Sequence, residues 1–163
     1  MPQPGDLILV HMLEPQAVGS YFSRERWPLH ITLMPWFGAP ATLRSQLHVG
    51  LNQVAQSQPA EQVVIGDQAL FGPNQDVPVE LLTEPGALQP LHEALLSLVQ
   101  LLQLPLVNPQ WTGENYRPHI ARYNGQHVDA GDAFTVADMY LVELQRDSSC
   151  QILTRLELKG LNG

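Results

Sequence analysis

Apolar positions along this chain recur in short clusters divided by Gly and Pro, and two spacings alternate. Leu7-Ile8-Leu9-Val10 opens an apolar run bounded by Gly5 and Pro15, which predicts a buried strand over 6–13. A polar connection through Ser20 to Pro28 follows, then a second strand over 29–37 that stops at Gly38 and Pro40. Leu43, Leu47, Leu51 and Val54 recur at helical spacing, so a helix runs from a Thr42 cap to about residue 58. Segments 63–65 and 69–71 predict a strand broken near Gly66, and 77–82 its hairpin partner after Gly72-Pro73-Asn74. The clearest helix spans 86–103, with Pro90 in its first turn and a face of Leu91, Leu95, Leu98, Leu101 and Leu102. Strands are predicted over 116–124, 134–145 and 151–158, the last two joined as a hairpin at Arg146-Asp147-Ser148-Ser149.

The resulting order is β-β-α-β-β followed by α-β-β-β. Each half holds one long helix and one strand with a histidine at its start. That grammar predicts an α+β chain with two antiparallel-sheet lobes, a pseudo-two-fold axis and a central cleft, all within a single bilobal domain over 1–163. A length of 163 residues, 44% of them hydrophobic, suffices for a core.

Composition narrows the functions available. The formal charge of −8 argues against a general grip on duplex DNA. Positive charge is nevertheless gathered locally: of eight Lys and Arg, Arg24 and Arg26 precede His30, and Arg117 and Arg122 flank His119. A small anion or one end of a strand remains a plausible ligand. No uncharged apolar run of membrane-spanning length occurs, and the first residues lack a basic secretory leader. Cys150 is the only cysteine, which excludes an intrachain disulfide. A soluble, cytoplasmic, monomeric protein is expected.

The chemistry concentrates in Leu29-His30-Ile31-Thr32-Leu33 and Pro118-His119-Ile120-Ala121-Arg122. Strand side chains alternate, so His30 and Thr32 share one face, about 7 Å apart. A hydroxyl can donate to a phosphoryl oxygen, and a neutral imidazole can take a proton from water. A second strand presenting His119 opposite would supply the complementary acid, a role for which histidine's ordinary pKa suits it. A lone histidine between apolar strand neighbours is commonly a packing residue. Two such segments in matching places favour function.

With these residues in view, the chain resembles the 2H phosphoesterases, specifically their 2′-5′ RNA ligase-like and cyclic phosphodiesterase branch. The signature is His-x-Thr/Ser once per lobe. His30-Ile31-Thr32-Leu33 matches the first copy, and Tyr116-Arg117-Pro118-His119-Ile120 matches the usual approach to the second. The resemblance implies a phosphodiesterase or transesterase acting on a 2′,3′-cyclic phosphate at an RNA 3′ end or in a small nucleotide. It implies His30 and His119 as the acid–base pair, with no metal and no cofactor. The direction of reaction decides which is which; His119 as base and His30 as acid is the initial assignment.

One departure stands out. Ala121 occupies the position of the second hydroxyl, and losing a hydrogen bond to a charged group removes roughly 1.5–3 kcal/mol of stabilisation. That corresponds to on the order of ten to a few hundred-fold in rate. Arg117 and Tyr123 share the strand face of His119 and are the candidate replacements, whereas Arg122 should point away. Trp36, Tyr21, Phe22, Phe37 and Trp111 are candidates for base stacking or for packing. His11 reads as structural, His48 and His127 as surface residues, and His92 as packing or solvated. No His-Glu-x-x-His, Walker-type loop or Gly-x-Ser-x-Gly elbow is present. Two alternatives stay open: a nucleotide- or RNA-end-binding module that has lost catalysis at Ala121, and an unrelated protein-contact domain.

Overall fold

The computed structural model describes residues 1–123 and 125–160. Nine strands and two helices appear in the order β1 (Leu7–Met12), β2 (Tyr21–Ser23), β3 (His30–Phe37), α1 (Arg44–Ser57), β4 (Glu61–Phe71), β5 (Val77–Leu82), α2 (Gln89–Leu101), β6 (His119–Ala121), β7 (Ala133–Val136), β8 (Asp138–Leu144) and β9 (Ser149–Glu157). They form two antiparallel sheets, one ordered β2-β9-β8-β1-β3 and the other β6-β5-β4-β7. This is the α+β, two-sheet architecture with two long helices that the pattern implied. The sheets do not follow the sequence halves, however: β8 and β9 return to the sheet begun by β1 and β3, and the middle of the chain builds the other.

β1 shows why its sequence is apolar without alternation. All six of its residues are buried. One face, with Leu7 and Leu9, joins the main core together with Leu33, Leu47, Leu95 and Ile120 from both helices and both sheets. The opposite face, with Ile8, Val10 and Met12, joins a second cluster with Trp27, Tyr140, Val142 and Ile152. The sheet therefore needs apolar side chains on both sides at its centre. Helix α2 lies against β3 and α1, and α1 against β9. Leu47, Leu51 and Ala55 of α1 and Leu91, Leu95 and Val99 of α2 are buried, while Leu101 projects into solvent.

Several boundaries differ from the sequence reading. Thr42 does not cap α1; it lies in a 3-10 turn, Ala41–Leu43, and no side chain caps either turn or helix. The helix read as 86–103 divides into a 3-10 turn, Pro85–Leu88, and α2, which ends as Gln103 turns to φ 56°. The connection through Ser20 to Pro28 contains β2, a three-residue edge strand held by backbone pairing to β9. The strand expected to break at Gly66 continues as β4 with a register shift between Ile65 and Gln68. Glycine gives the close approach room, since a Cβ would sit a tight 3.2 Å from the Thr83 backbone nitrogen. The strand expected over 116–124 narrows to β6, entered through Pro118, which lacks an N–H for the ladder; Asn124 lies outside the described residues. The strand expected over 134–145 divides at Ala137, because β7 pairs with β4 and β8 with β1 and β9.

No helix among the described residues is long and apolar enough to cross a membrane. Phe37 has no exposed surface, pairs with Leu7 and bridges to Leu106. Phe37→Ala should therefore remove about 3–5 kcal/mol of stability. The thermal midpoint is expected to fall by about 10 °C or more; a loss under about 1 kcal/mol would contradict a packed core at this position.

Candidate active site

Histidines 30 and 119 begin the edge strands of different sheets, and those two edges adjoin. His30 pairs with Met12 and Thr32 with Val10, so both carry the parity of the second apolar cluster. His119 pairs with Leu81 and Ala121 with Val79. The Tyr116 hydroxyl, just ahead of β6, donates to the Thr32 carbonyl at 2.7 Å and ties one edge to the other. Tyr123, just past β6, stacks against His30 with ring centroids 5.9 Å apart and planes 24° apart. His30 and Thr32 thus share a strand face with Tyr123 stacked on His30, and His119 opens the adjoining edge strand.

The two imidazoles are held alike. His30 Nδ1 lies 2.8 Å from the Pro28 carbonyl and His119 Nδ1 lies 2.7 Å from the Arg117 carbonyl, each two residues upstream. A carbonyl only accepts, so each Nδ1 carries the proton and donates. Each Nε2 then has a free lone pair. An aromatic residue stands three positions before each histidine, Trp27 and Tyr116. Trp27, buried, packs on His30 at 4.5 Å between centroids, and Phe71 meets His119 edge-on at 4.6 Å. Neither Trp27 nor Phe71 emerged from sequence reasoning. The repeated −3 spacing would have found Trp27, whereas Phe71 reaches the site only through the β4–β5 hairpin.

Burial governs the electrostatics. It pushes the His30 pKa down to about 4, against the opposing effect of the Pro28 hydrogen bond, and positive charge on His119 lowers it further. His119 is also lowered, first by burial and then by the Arg117 guanidinium, with its own hydrogen bond to the Arg117 carbonyl opposing. Arg117 lies over the Phe71 ring, 4.9 Å from its centroid. One cation, one aromatic platform and His119 thereby form a compact group.

The remaining candidates separate clearly. Trp36 packs at the rim of the second cluster, with its ring 6.2 Å from Trp27. Phe22 meets Trp27 edge-on at 4.6 Å, Phe37 is core, and Tyr21 and Trp111 are largely exposed. Arg122 turns from the histidine face and bonds the buried Glu80 carboxylate at 2.8 Å. Arg24 lies beside Asp147 and Ser148 at the β8–β9 turn. His11 has the parity of Ile31, opposite to His30, and bonds Asp138 at 2.8 Å, which Arg155 also holds. His127 pairs with Asp129 on the surface. His92 is wholly buried rather than solvated. Cys150 is buried and free, and burial raises its thiol pKa to about 11. Among the described residues, no group of three or more His, Cys, Asp or Glu side chains is gathered closely enough to hold a metal ion.

Comparison with known proteins follows the same outline. A family model described as the 2′-5′ RNA ligase superfamily matches residues 12–145. No curated protein matches the chain by sequence. Among solved structures, E. coli LigT complexed with 3′-AMP is similar with a TM-score of 0.67 and 17% identity, covering 96% of this chain and 99% of that one. A protein from Thermus thermophilus gives 0.66 and 18% over the same shares, and a structure described as a phosphoesterase gives 0.66 and 16%, again over 96% and 99%. At these identities the likeness is one of fold.

The depressed His30 pKa has a thermodynamic consequence. Because the folded value lies below the unfolded value of about 6.5, the unfolded chain binds the proton first as pH falls. Stability contributed above about pH 6.5 should therefore be lost toward pH 4, on the order of 2–3 kcal/mol from this residue. Denaturant titrations at pH 7 and 4.5 should show the loss, and a smaller one in His30→Asn. An NMR titration placing the His30 midpoint near 6.5 would contradict the burial.

Proposed function

Given that the chain belongs to the 2′-5′ RNA ligase superfamily, we propose that it is a phosphodiesterase in which His30 and His119 pass protons on either side of one phosphate. The observation carrying this reading is the paired tautomer on two adjoining edge strands: both Nδ1 protons go to backbone carbonyls, which leaves both Nε2 atoms to a ligand. The substrate class is a 2′,3′-cyclic phosphate, at an RNA 3′ end or in a small nucleotide.

In hydrolysis, a water molecule gives its proton to one Nε2 as its oxygen attacks phosphorus. The phosphorus–oxygen bond to the ribose breaks, and the other imidazole protonates the departing oxygen. His30, with a pKa near 4, is neutral at pH 7 and suited to the base. His119 then serves as the acid, its protonated form favoured by the bound phosphate's negative charge. This inverts the order first expected from the sequence, since burial disfavours a standing charge on His30. Ligation follows the same path with a ribose 5′-hydroxyl in place of water: its oxygen bonds phosphorus, its proton goes to the base, and the same phosphorus–oxygen bond to the cyclic ribose breaks. Two histidines supply both proton transfers, so the scheme calls for no metal ion.

Thr32 supplies a hydroxyl to the phosphate and Arg117 a guanidinium, replacing the hydroxyl lost at Ala121. Tyr123 and Trp36 flank the groove on the His30 side and receive the base or ribose. On this reading the two sheets act as one bilobal domain, since neither supplies both histidines. The crystallisation of E. coli LigT with 3′-AMP fits a nucleotide in such a groove. The chain's −8 charge favours a terminal phosphate over a long duplex. Ala121, set beside Val79, favours a second reading, a nucleotide- or RNA-end-binding module without turnover.

Steady-state assays on 2′,3′-cyclic nucleotides distinguish the two. Turnover should survive a chelator and fall by about 10²–10⁴-fold in His30→Ala and in His119→Ala. Tight binding without turnover would establish the module, and chelator-sensitive turnover would overturn the two-histidine scheme.

A further inference from the structure

β3 is an edge strand, and its ladder with β1 is irregular at the site. Leu9 pairs with Met34 and Val10 with Thr32, which leaves Leu33 as an extra residue. The bulge lets Leu33 and Met34, neighbours in sequence, both enter the main core while Thr32 keeps the face of His30. Its carbonyls need donors from outside the sheet. Two buried side chains provide them. His92 Nδ1 donates to the Leu33 carbonyl at 2.8 Å, and the Tyr116 hydroxyl donates to the Thr32 carbonyl at 2.7 Å.

The same two residues grip the second motif. His92 Nε2 accepts the Gly113 N–H at 2.9 Å, in the 3-10 turn Gly113–Asn115 that leads through Tyr116 to His119. Gln89 holds the Gly113 carbonyl at 2.8 Å, and Gly113 has φ +67°, a conformation that favours glycine. The His92 and Tyr116 rings lie face to face, 4.0 Å apart and 7° from parallel. Both are buried, His92 completely. A neutral imidazole that donates at Nδ1 and accepts at Nε2 spans two backbone segments with one rigid ring.

We infer that His92, on α2, and Tyr116, just ahead of β6, are positioning residues that together clamp the first histidine motif against the second. The inference rests on the phosphodiesterase reading. Neither residue needs to touch substrate. Each acts through backbone: the Thr32 and Leu33 carbonyls on one side, the Gly113 amide and the chain running to His119 on the other. Helix α2 therefore serves as the common reference for both imidazoles.

Tyr116→Phe keeps the stacked ring and deletes one oxygen; His92→Phe keeps the stack and deletes both bonds. Each variant is assayed on a 2′,3′-cyclic nucleotide, and the His30 and His119 rings are titrated by NMR. The expected result is a fall in kcat of about tenfold or more with KM within about threefold, as misplaced catalytic groups produce. The His30 midpoint should also rise from about 4 as the groove loosens. A lower melting temperature with kcat and the His30 midpoint both unchanged would overturn the clamp. If the native protein turns over no cyclic nucleotide, the phosphodiesterase reading falls, and the His30 midpoint in Tyr116→Phe still decides the clamp. If His92→Phe does not fold, Tyr116→Phe carries the comparison alone.

Discussion

The structure depends most on a short hydrogen bond made twice. In each motif an imidazole donates Nδ1–H to the carbonyl two residues upstream, Pro28 for His30 and Arg117 for His119. That bond selects the tautomer, fixes the ring and leaves the Nε2 lone pair available. It also allows burial, because a neutral ring with its donor satisfied can be enclosed at modest cost, whereas an imidazolium cannot. Burial then lowers both pKa values, which favours the neutral form of each ring in the free protein. The protein makes this local device twice, at the starts of two adjoining edge strands.

Bringing the two motifs to adjoining edges is the task of the fold. β3 and β6 are each the last strand of their sheet. Exposed edges commonly invite unwanted pairing. Here Tyr116 crosses between them, and α2 supplies His92 to the bulged carbonyl of β3. Two backbone carbonyls of the β3 edge are thus satisfied from outside its sheet. Arg122 and the buried Glu80 stabilise the far side of β6, so the short strand is held on both faces.

Much of this was legible in the sequence, and the remainder was hidden for physical reasons. The continuous apolar run of β1 reflects burial on both faces, and the leucine spacing of α2 reflects its packing against β3. The sharing of a face by His30 and Thr32 follows from strand alternation alone. By contrast, the change of sheet at Ala137 leaves no local mark, because 134–145 is apolar over most of its length and only its remote partners, β4 on one side and β1 on the other, divide it. β2, three residues long, is too short to signal itself. His92 resembles any histidine near a helix start, and its role depends on carbonyl and amide groups of distant segments. Phe71 is likewise an ordinary strand residue until the hairpin brings it to His119. Arg117 and Arg122 stand an odd number of positions apart, so alternation sends one toward the groove side and the other to Glu80.

The central claim is that two free Nε2 atoms, one from each sheet, converge on a single anion. A crystal structure of the protein with inorganic phosphate or a 3′-nucleotide tests it most directly. The expected result is one phosphate with an oxygen within about 2.6–3.2 Å of each Nε2, beside Thr32 and Arg117. A phosphate seated elsewhere, or one that touches a single imidazole while the other stays out of reach, would contradict the account.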